Sequence, residues 1–385
     1  VKMQYTIYSA PGFKVYARVE GGRVAVRTGG LLAPLLSPLV SGYARLLAGT
    51  PVKVTDTHLY ISTWLPPIPG AAFDRLVKNQ VRSFFRDCRP DQVTISITEE
   101  CPNRCVHCAL PDTKHRKRLP PQEIKSVIDQ SVELGASLVI FDGGEPMVYE
   151  GIEELVAYAS RRAAATLFTS GYGLSREKAA GLRDAGLHAV NVSFDSPIEE
   201  EHDRIRGRQG VFREAVDAVK NAVAEELLVD IYVVAAPFNI DRLDEFYSLA
   251  CDLHADELSF YEIVPTGRWS AHPSEVLDCG QREKLCDFRG KDTEKDNGVR
   301  VFSIPAAMKV TGCFAGRKWL HVTPGGDVLP CACIPVPYGN VYTEPLAKIW
   351  EKIRKSGMYN ARSCLMRDEG FRQSMLPASD DRQKD

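Results

Sequence analysis

The chain has 385 residues, 25 % charged and 44 % hydrophobic, with a formal net charge of −2. That composition excludes a disordered, collagen-like or multi-span membrane protein, and the balanced charge leaves no global basic field for nucleic acid. The 11 cysteines are too few for a disulfide scaffold, odd in number and clustered, and no basic-then-apolar signal precedes them, so a metal or redox role is expected.

Residues 1–90 open with alternating segments, YTIYS and FKVYARVEGGRVAV, whose Gly21-Gly22 reads as a hairpin turn. LLAPLLSPLVSGYARLLAG (31–49) is apolar, but Pro34, Pro38 and Arg45 make it a poor membrane span. It reads as a buried, hairpin-like pair of short helices, with a membrane-surface or lipid-facing element as the alternative. TWLPPIPG (63–70) is an extended apolar loop, because prolines remove backbone donors. Helical spacing of Phe73, Leu76, Val77, Val81, Phe84 and Phe85 predicts a helix over 72–87.

From 91 to 269 strands and helices alternate. QVTISIT, SLVIFDG, ATLFTSG, AVNVSFDS, LVDIYVVAAP and ELSFYEIVP read as strands separated by amphipathic helices, which predicts repeated βαβ units, a parallel sheet and chemistry at the strands' carboxyl ends. Residues 270–385 are rich in Gly, Pro and Cys, with a helix near LAKIWEKIRKSG and a charged tail, ASDDRQKD, expected to be solvated.

Directly after the first of those strands come Cys101, Cys105 and Cys108, spaced C-x3-C-x2-C. Three thiolates on a cubic [4Fe–4S] cluster leave one iron open, as catalysis requires. The next strands end in Gly143-Gly144-Glu145-Pro146, in Thr169-Ser170-Gly171, in a Ser193/Asp195 pair expected on one strand face, and in Pro265 with Gly267-Arg268. In that order the motifs resemble the radical S-adenosylmethionine (SAM) superfamily, over residues 91–269.

The resemblance implies a partial (β/α)6 TIM-like barrel, an α/β fold, in which the cysteines hold the cluster that cleaves SAM to a 5′-deoxyadenosyl radical. It places His107 beside the adenine, the Gly143–Pro146 motif on the SAM ammonium, Thr169 and Ser170 at a polar strand end, and Ser193 and Asp195 near the ribose and carboxylate. Arg206, in EHDRIRG, would pair with the SAM carboxylate, Pro265 would lie near the adenine, and His202 and Asp203 would position that loop.

Cys313 and Cys331 frame a C-x12-G-x4-C pattern that resembles the auxiliary-cluster domain called SPASM, or its shorter form, twitch. Cys333 and Cys364 complete an expected auxiliary [4Fe–4S] cluster. Cys333 is the doubtful ligand, because on a strand it would share a face with Cys331; Cys279 and Cys286 are alternatives, and zinc is the alternative metal. Cys88 and Cys251 read as lone buried thiols.

The expected organisation is an N-terminal α+β substrate-binding extension (1–90), the barrel (91–269) and the Cys-rich domain (270–385). The amino end lacks the winged-helix module of many peptide-modifying relatives. Leu31, Leu32, Leu35, Leu36, Leu39, Val40, Leu46 and Leu47 are instead expected to line a channel for alkyl chains. The whole chain resembles archaeal radical SAM proteins, some of which join membrane-lipid isoprenoid chains by a carbon–carbon bond, so lipid coupling is the first expectation and peptide or protein modification the second. A non-catalytic iron–sulfur or zinc module is a third. Ferredoxin or flavodoxin is the expected electron donor, and an anaerobic cytoplasm or its membrane face the expected location.

Overall fold

The computed structural model describes residues 3–110, 116–290, 298–357, 359 and 361–375. The tail ASDDRQKD lies outside them.

The strands are β1 (Met3–Ala10), β2 (Phe13–Glu20), β3 (Arg23–Gly29), β4 (Lys53–Val54), β5 (Leu59–Tyr60), β6 (Gln92–Thr98), β7 (Leu138–Gly143), β8 (Ala164–Thr169), β9 (Ala189–Phe194), β10 (Leu228–Ala235), β11 (Glu257–Glu262), β12 (Arg300–Ser303), β13 (Trp319–Val322) and β14 (Val328–Leu329). The helices are α1 (Ala33–Leu47), α2 (Ala71–Phe84), α3 (Pro121–Leu134), α4 (Ile152–Ser160), α5 (Arg176–Asp184), α6 (Glu199–Arg206), α7 (Val211–Ala224), α8 (Leu243–Asp252), α9 (Cys279–Asp287), α10 (Ile304–Thr311), α11 (Leu346–Lys355) and α12 (Glu369–Met375).

One sheet organises the molecule, in the order β12-β11-β10-β9-β8-β7-β6-β13-β14. All its neighbours pair in parallel except β13 and β14. β6 to β11 are the strands read from the sequence, and each is apolar enough to be buried on both faces, as parallel strands between helices must be. Val93, Ile95, Phe141, Leu167, Val190 and Ile231 are all inaccessible to solvent. β12 and β13 extend the sheet at both ends with chain from beyond residue 269, so the sheet has no break at that point.

At the amino end, β1, β2 and β3 form an antiparallel sheet. The β2–β3 turn uses Gly21 and Gly22 at φ 59° and 73°, a left-handed pair that matches strand twist. The stretch 31–49 corrects expectation. It forms one helix, α1, with Pro38 inside it and no buried residue. Leu31, Leu35 and Leu39 are 94, 73 and 50 % exposed. α2 ends at Phe84, leaving Phe84 and Phe85 exposed rather than in the core. Among the described residues no helix is long and apolar enough to cross a membrane.

The WLPPIP loop closes the amino-terminal end of the barrel. Ser62 and Thr63 donate to the buried Glu257 carboxylate at 2.7–2.9 Å. Trp64 donates from Nε1 to Ser259 Oγ at 2.9 Å and stacks on Phe302.

Candidate active site

The carboxyl ends of β6–β11 open on a cavity of about 340 Å³. Its floor is Trp64; Cys101, Cys105, His107 and Cys108 line one wall, and Cys331 and Cys333 another.

The cysteine loop is held by backbone contacts. Arg104 N donates to Arg206 O at 2.9 Å, Val106 N to Ile205 O at 3.0 Å, and Arg268 N to Cys108 O at 2.9 Å. Arg268 Nη1 also reaches Cys105 O at 3.0 Å, and Arg208 Nε reaches Asn103 Oδ1 at 2.8 Å. Such approaches need glycine. A Cβ on Gly144 would lie 2.2 Å from Glu100 O, on Gly207 2.6 Å from Arg104 O, and on Gly267 2.2 Å from Cys108 O. The glycines of the β7 turn were expected to make room for a ligand; they also make room for the cysteine loop itself.

Burial pushes the Cys101 thiol up to about 12, against the help of the Asn103 amide, which donates to its Sγ at 3.4 Å. Cys105 is also raised by burial, opposed by the neighbouring Arg206. All three cysteines are free of disulfides. A strongly Lewis-acidic metal centre would deprotonate these thiols, and Arg206, beside Cys105, would offset the resulting negative charge. The donor set fits an iron–sulfur cluster. Among the described residues no three His, Cys, Asp or Glu side chains are grouped to hold one metal ion.

The strand-end motifs divide into two layers. Gly143, Gly144, Pro146, Thr169, Ser170, Ser193 and Arg206 line the cavity. Glu145 and Asp195 lie behind it. Glu145 accepts from Thr169 Oγ1 at 2.7 Å, Ser170 N at 2.8 Å, Ser170 Oγ at 2.7 Å and Met147 N at 3.2 Å, while burial raises its pKa. β9 ends at Phe194, one residue before Asp195, and of the pair only Ser193 lines the cavity. Asp195 is fully buried and paired with Arg206 Nε at 2.5 Å and His107 Nε2 at 3.4 Å. Burial works to raise the Asp195 carboxyl, but Arg206, His107 and His202 outweigh it and hold it low. Arg206, raised by the same carboxylate against burial, therefore has a protein partner of its own. Asp203 accepts from Gly210 N and Phe212 N at 2.6 and 2.9 Å, fastening the start of α7. Pro265 is not in the wall; its neighbours Val264 and Thr266 are.

Cys313, Cys331 and Cys364 perturb one another electrostatically, and the Cys331 and Cys333 thiols share a hydrogen bond. Cys331 and Cys333 lie in a turn after β14, so the strand argument against Cys333 does not apply. Cys279 and Cys286 belong to α9, where Cys286 interacts with Lys309 instead. Cys88 and Cys251 are half-buried rather than buried. None of the leucines of 31–49 reaches the cavity.

Residues missed in the sequence complete the wall: Asp142, Arg116, Tyr232, Tyr261 and His321. Asp142 stood inside the FDGGEP motif and His321 inside HVTPGGDVLP, but neither has a spacing signature of its own.

Residues 95–250 match the radical SAM superfamily, and residues 313–373 match the iron–sulfur cluster-binding domain SPASM. A PqqA peptide cyclase of Rhizobium meliloti is 30 % identical over 73 % of this chain and 78 % of its own. An AdoMet-dependent heme synthase of Methanosarcina barkeri is 25 % identical over 68 % of this chain and 82 % of its own. Streptococcus suis SuiB, solved bound to the precursor peptide SuiA, superposes with a TM-score of 0.59 at 12 % identity, over 90 % of this chain and 88 % of that one. The chain belongs to the radical SAM superfamily and carries its SPASM-type cluster-binding domain.

Proposed function

We propose that this radical SAM enzyme oxidatively modifies a peptide, by a carbon–carbon or thioether cross-link or an equivalent oxidation. The observation that carries the proposal is the set of polar side chains in the cavity wall, among them Asp142, Thr169, Ser170, Ser193 and His321. His321 Nδ1, Tyr261 Oη and Thr266 Oγ1 are buried without a hydrogen-bond partner among the described residues. All three residues line the cavity beside Asp142 and Glu262. An alkyl chain would strip water from the half-buried Asp142 and Ser193 in the cavity wall without replacing its hydrogen bonds. A peptide supplies both donors and acceptors. The lipid reading rested on the leucines of 31–49, which lie elsewhere. The similarity to a peptide cyclase and the fold shared with a peptide-bound enzyme support the same choice.

In this reading Cys101, Cys105 and Cys108 hold the [4Fe–4S] cluster, and Cys313, Cys331, Cys333 and Cys364 hold the auxiliary one. When bound, the first cluster and SAM together supply a 5′-deoxyadenosyl radical that takes a hydrogen atom from unactivated carbon. The chain's own part is placement. Gly143 and Gly144 present backbone groups to the SAM ammonium, Ser193 serves the ribose, and Arg206 serves the carboxylate while Asp195 sets its orientation. Glu145 acts from behind by fixing Thr169 and Ser170. His107 lies against the adenine. Trp64 closes the floor and so limits water in the space where substrate lies.

The test is anaerobic incubation of the reconstituted chain with SAM, a reductant and candidate peptides encoded beside its gene, with lipid extract and tetrapyrrole as parallel substrates. A peptide that loses two hydrogens in mass spectrometry, with 5′-deoxyadenosine formed alongside, is the expected result. A mass change on lipid or tetrapyrrole and on no peptide would defeat the proposal.

A further inference from the structure

Strands of a barrel turn alternate side chains inward. On that inward face Asp142 of β7, Phe168 of β8, Tyr232 of β10, Tyr261 of β11 and Trp319 of β13 line the cavity, each of them half-buried, with Trp64 as the floor. One carboxylate thus stands among five rings. The rings touch in succession: Trp64 to Phe168 at 5.7 Å, Phe168 to Tyr232 at 4.9 Å, Tyr232 to Tyr261 at 4.9 Å and Tyr261 to Trp319 at 6.2 Å between centroids. Asp142 follows Phe141, whose register partner Leu167 precedes Phe168, and its charge acts on the Tyr232 phenol.

Asp142 has no counter-charge. Ser96 Oγ donates to its Oδ1 at 2.6 Å and lies 3.3 Å from His321 Nε2, a row across β7, β6 and β13. Burial pulls the His321 imidazole down, so the row brings no positive charge at neutral pH. Among the described residues no lysine or arginine acts on Asp142. The other carboxylates of the wall differ: Glu262 pairs with Arg282 at 2.7 Å and Arg367 at 3.0 Å, and Glu99 accepts from Lys117 N at 3.0 Å. Asp142 Oδ2 has no partner among the described residues, and it is not sealed off as His321 Nδ1 and Tyr261 Oη are. It opens on the cavity.

A carboxylate in such a place is destabilised, and burial raises the Asp142 pKa accordingly. A cation beside it relieves that cost, and aromatic faces attract the same charge. A side chain with a long apolar stem and a charged head matches rings followed by a carboxylate.

We infer that this wall is the subsite for a cationic side chain of the substrate, lysine or arginine, whose methylenes lie along Phe168, Tyr232 and Tyr261 and whose head group pairs with Asp142. The inference rests on the peptide reading above and names the residue class that the peptide must carry. Asp142 is then a specificity-determining residue. The wall's own cations do not compete for it: Arg206 pairs with Asp195, and Arg268 reaches Cys105 O.

The test reads binding without turnover. The full chain is reconstituted anaerobically and saturated with SAM, with no reductant. Two capped tripeptides, acetyl-Ala-Lys-Ala-amide and its uncharged norleucine isostere, are titrated by ligand-observed NMR. The expected result is a lysine preference of roughly tenfold in the wild type that disappears in Asp142→Asn and survives in Asp142→Glu. Asp142→Ser replaces the first variant should it fail to fold, and the wild-type comparison needs no variant. Equal binding of the two probes, binding of neither, or a preference that persists without the carboxylate overturns the inference. So does a loss in Asp142→Asn that falls on SAM affinity rather than on the lysine probe. Peptide modification is scored separately by mass, so a lysine preference with no peptide modified would defeat the peptide reading and leave the subsite standing.

Discussion

Gly144→Ala tests the reasoning about the cysteine loop most directly. Gly144 has no positive φ, so alanine is admissible to its backbone and the perturbation is purely steric. The new Cβ would meet Glu100 O at 2.2 Å, Glu100 C at 2.6 Å and Glu99 C at 2.8 Å. These are backbone atoms, which cannot rotate aside. Ordinary contact demands about 3.5 Å, so the two segments must part by roughly 1 Å. Two hydrogen bonds cross that gap, Gly144 N to Thr98 O at 2.7 Å and Glu145 N to Glu100 O at 2.8 Å. Stretching both costs about 1–3 kcal/mol, and overpacking about 1–3 kcal/mol more. The residue after Glu100 is Cys101, so the displacement passes to the first thiol. A 1 Å misplacement costs on the order of 100-fold in rate. Thermal unfolding, iron content and 5′-deoxyadenosine formation under dithionite measure the three consequences. Gly181→Ala is the control, since its Cβ would meet Glu153 Cγ no closer than 3.7 Å. A Gly144→Ala chain with wild-type melting, iron and SAM cleavage would show that the close approach has no bearing on the site.

Asp195→Asn leaves the buried Arg206 guanidinium uncompensated and should cost about 3–5 kcal/mol in denaturant unfolding; an unchanged midpoint would remove the pair from the account. His188 and His202 are held by burial at about 4, against 6.5 when unfolded. Both are lowered, so their contribution is full above 6.5 and is lost as pH falls toward 4, about 3 kcal/mol each. Unfolding measured across that window should weaken steadily with acid, and His188→Gln should flatten its share of the slope. Cys364→Ala should lose one cluster's iron while Cys279→Ala and Cys286→Ala lose none; equal losses would undo the proposed ligand set. Leu35→Lys with Leu39→Lys, both on exposed faces, should change stability by less than about 0.5 kcal/mol, and a collapse of folding would mean that α1 is covered in the protein.

What was legible in the sequence was whatever has a local signature. The six central strands are continuous apolar runs between amphipathic helices, and the cysteine triplet has fixed spacing. β12 and the place of β13 beside β6 were not legible, because four-residue strands carry too short a pattern to say which strand they join. The different depths of Ser193 and Asp195 were not legible either: β9 stops one residue before Asp195, and only Ser193 lines the cavity. The apolar run of 31–49 was misplaced because hydrophobicity gives the tendency to be covered, not the partner that covers. Trp64 likewise looked like part of an apolar loop, and only the sheet's closure gives it a barrel floor to fill. The Asp142–Ser96–His321 row joins strands distant in sequence, and no spacing rule reaches across them.

β13 pairs with β6 from Trp319↔Gln92 to Val322↔Ile95, so the carboxyl-terminal region supplies the strand that flanks the one leading to the cysteine loop. A chain cut at the end of the βα repeats would leave β6 as an open edge of unpaired amides and carbonyls between apolar side chains, a template for intermolecular pairing. The last third of the polypeptide is thus a late-arriving staple: a ribosome must finish it before the first strand of the barrel is safe from its neighbours. Inheritance is constrained in the same way, since losing the cluster-binding region would forfeit a wall of the barrel along with its metal.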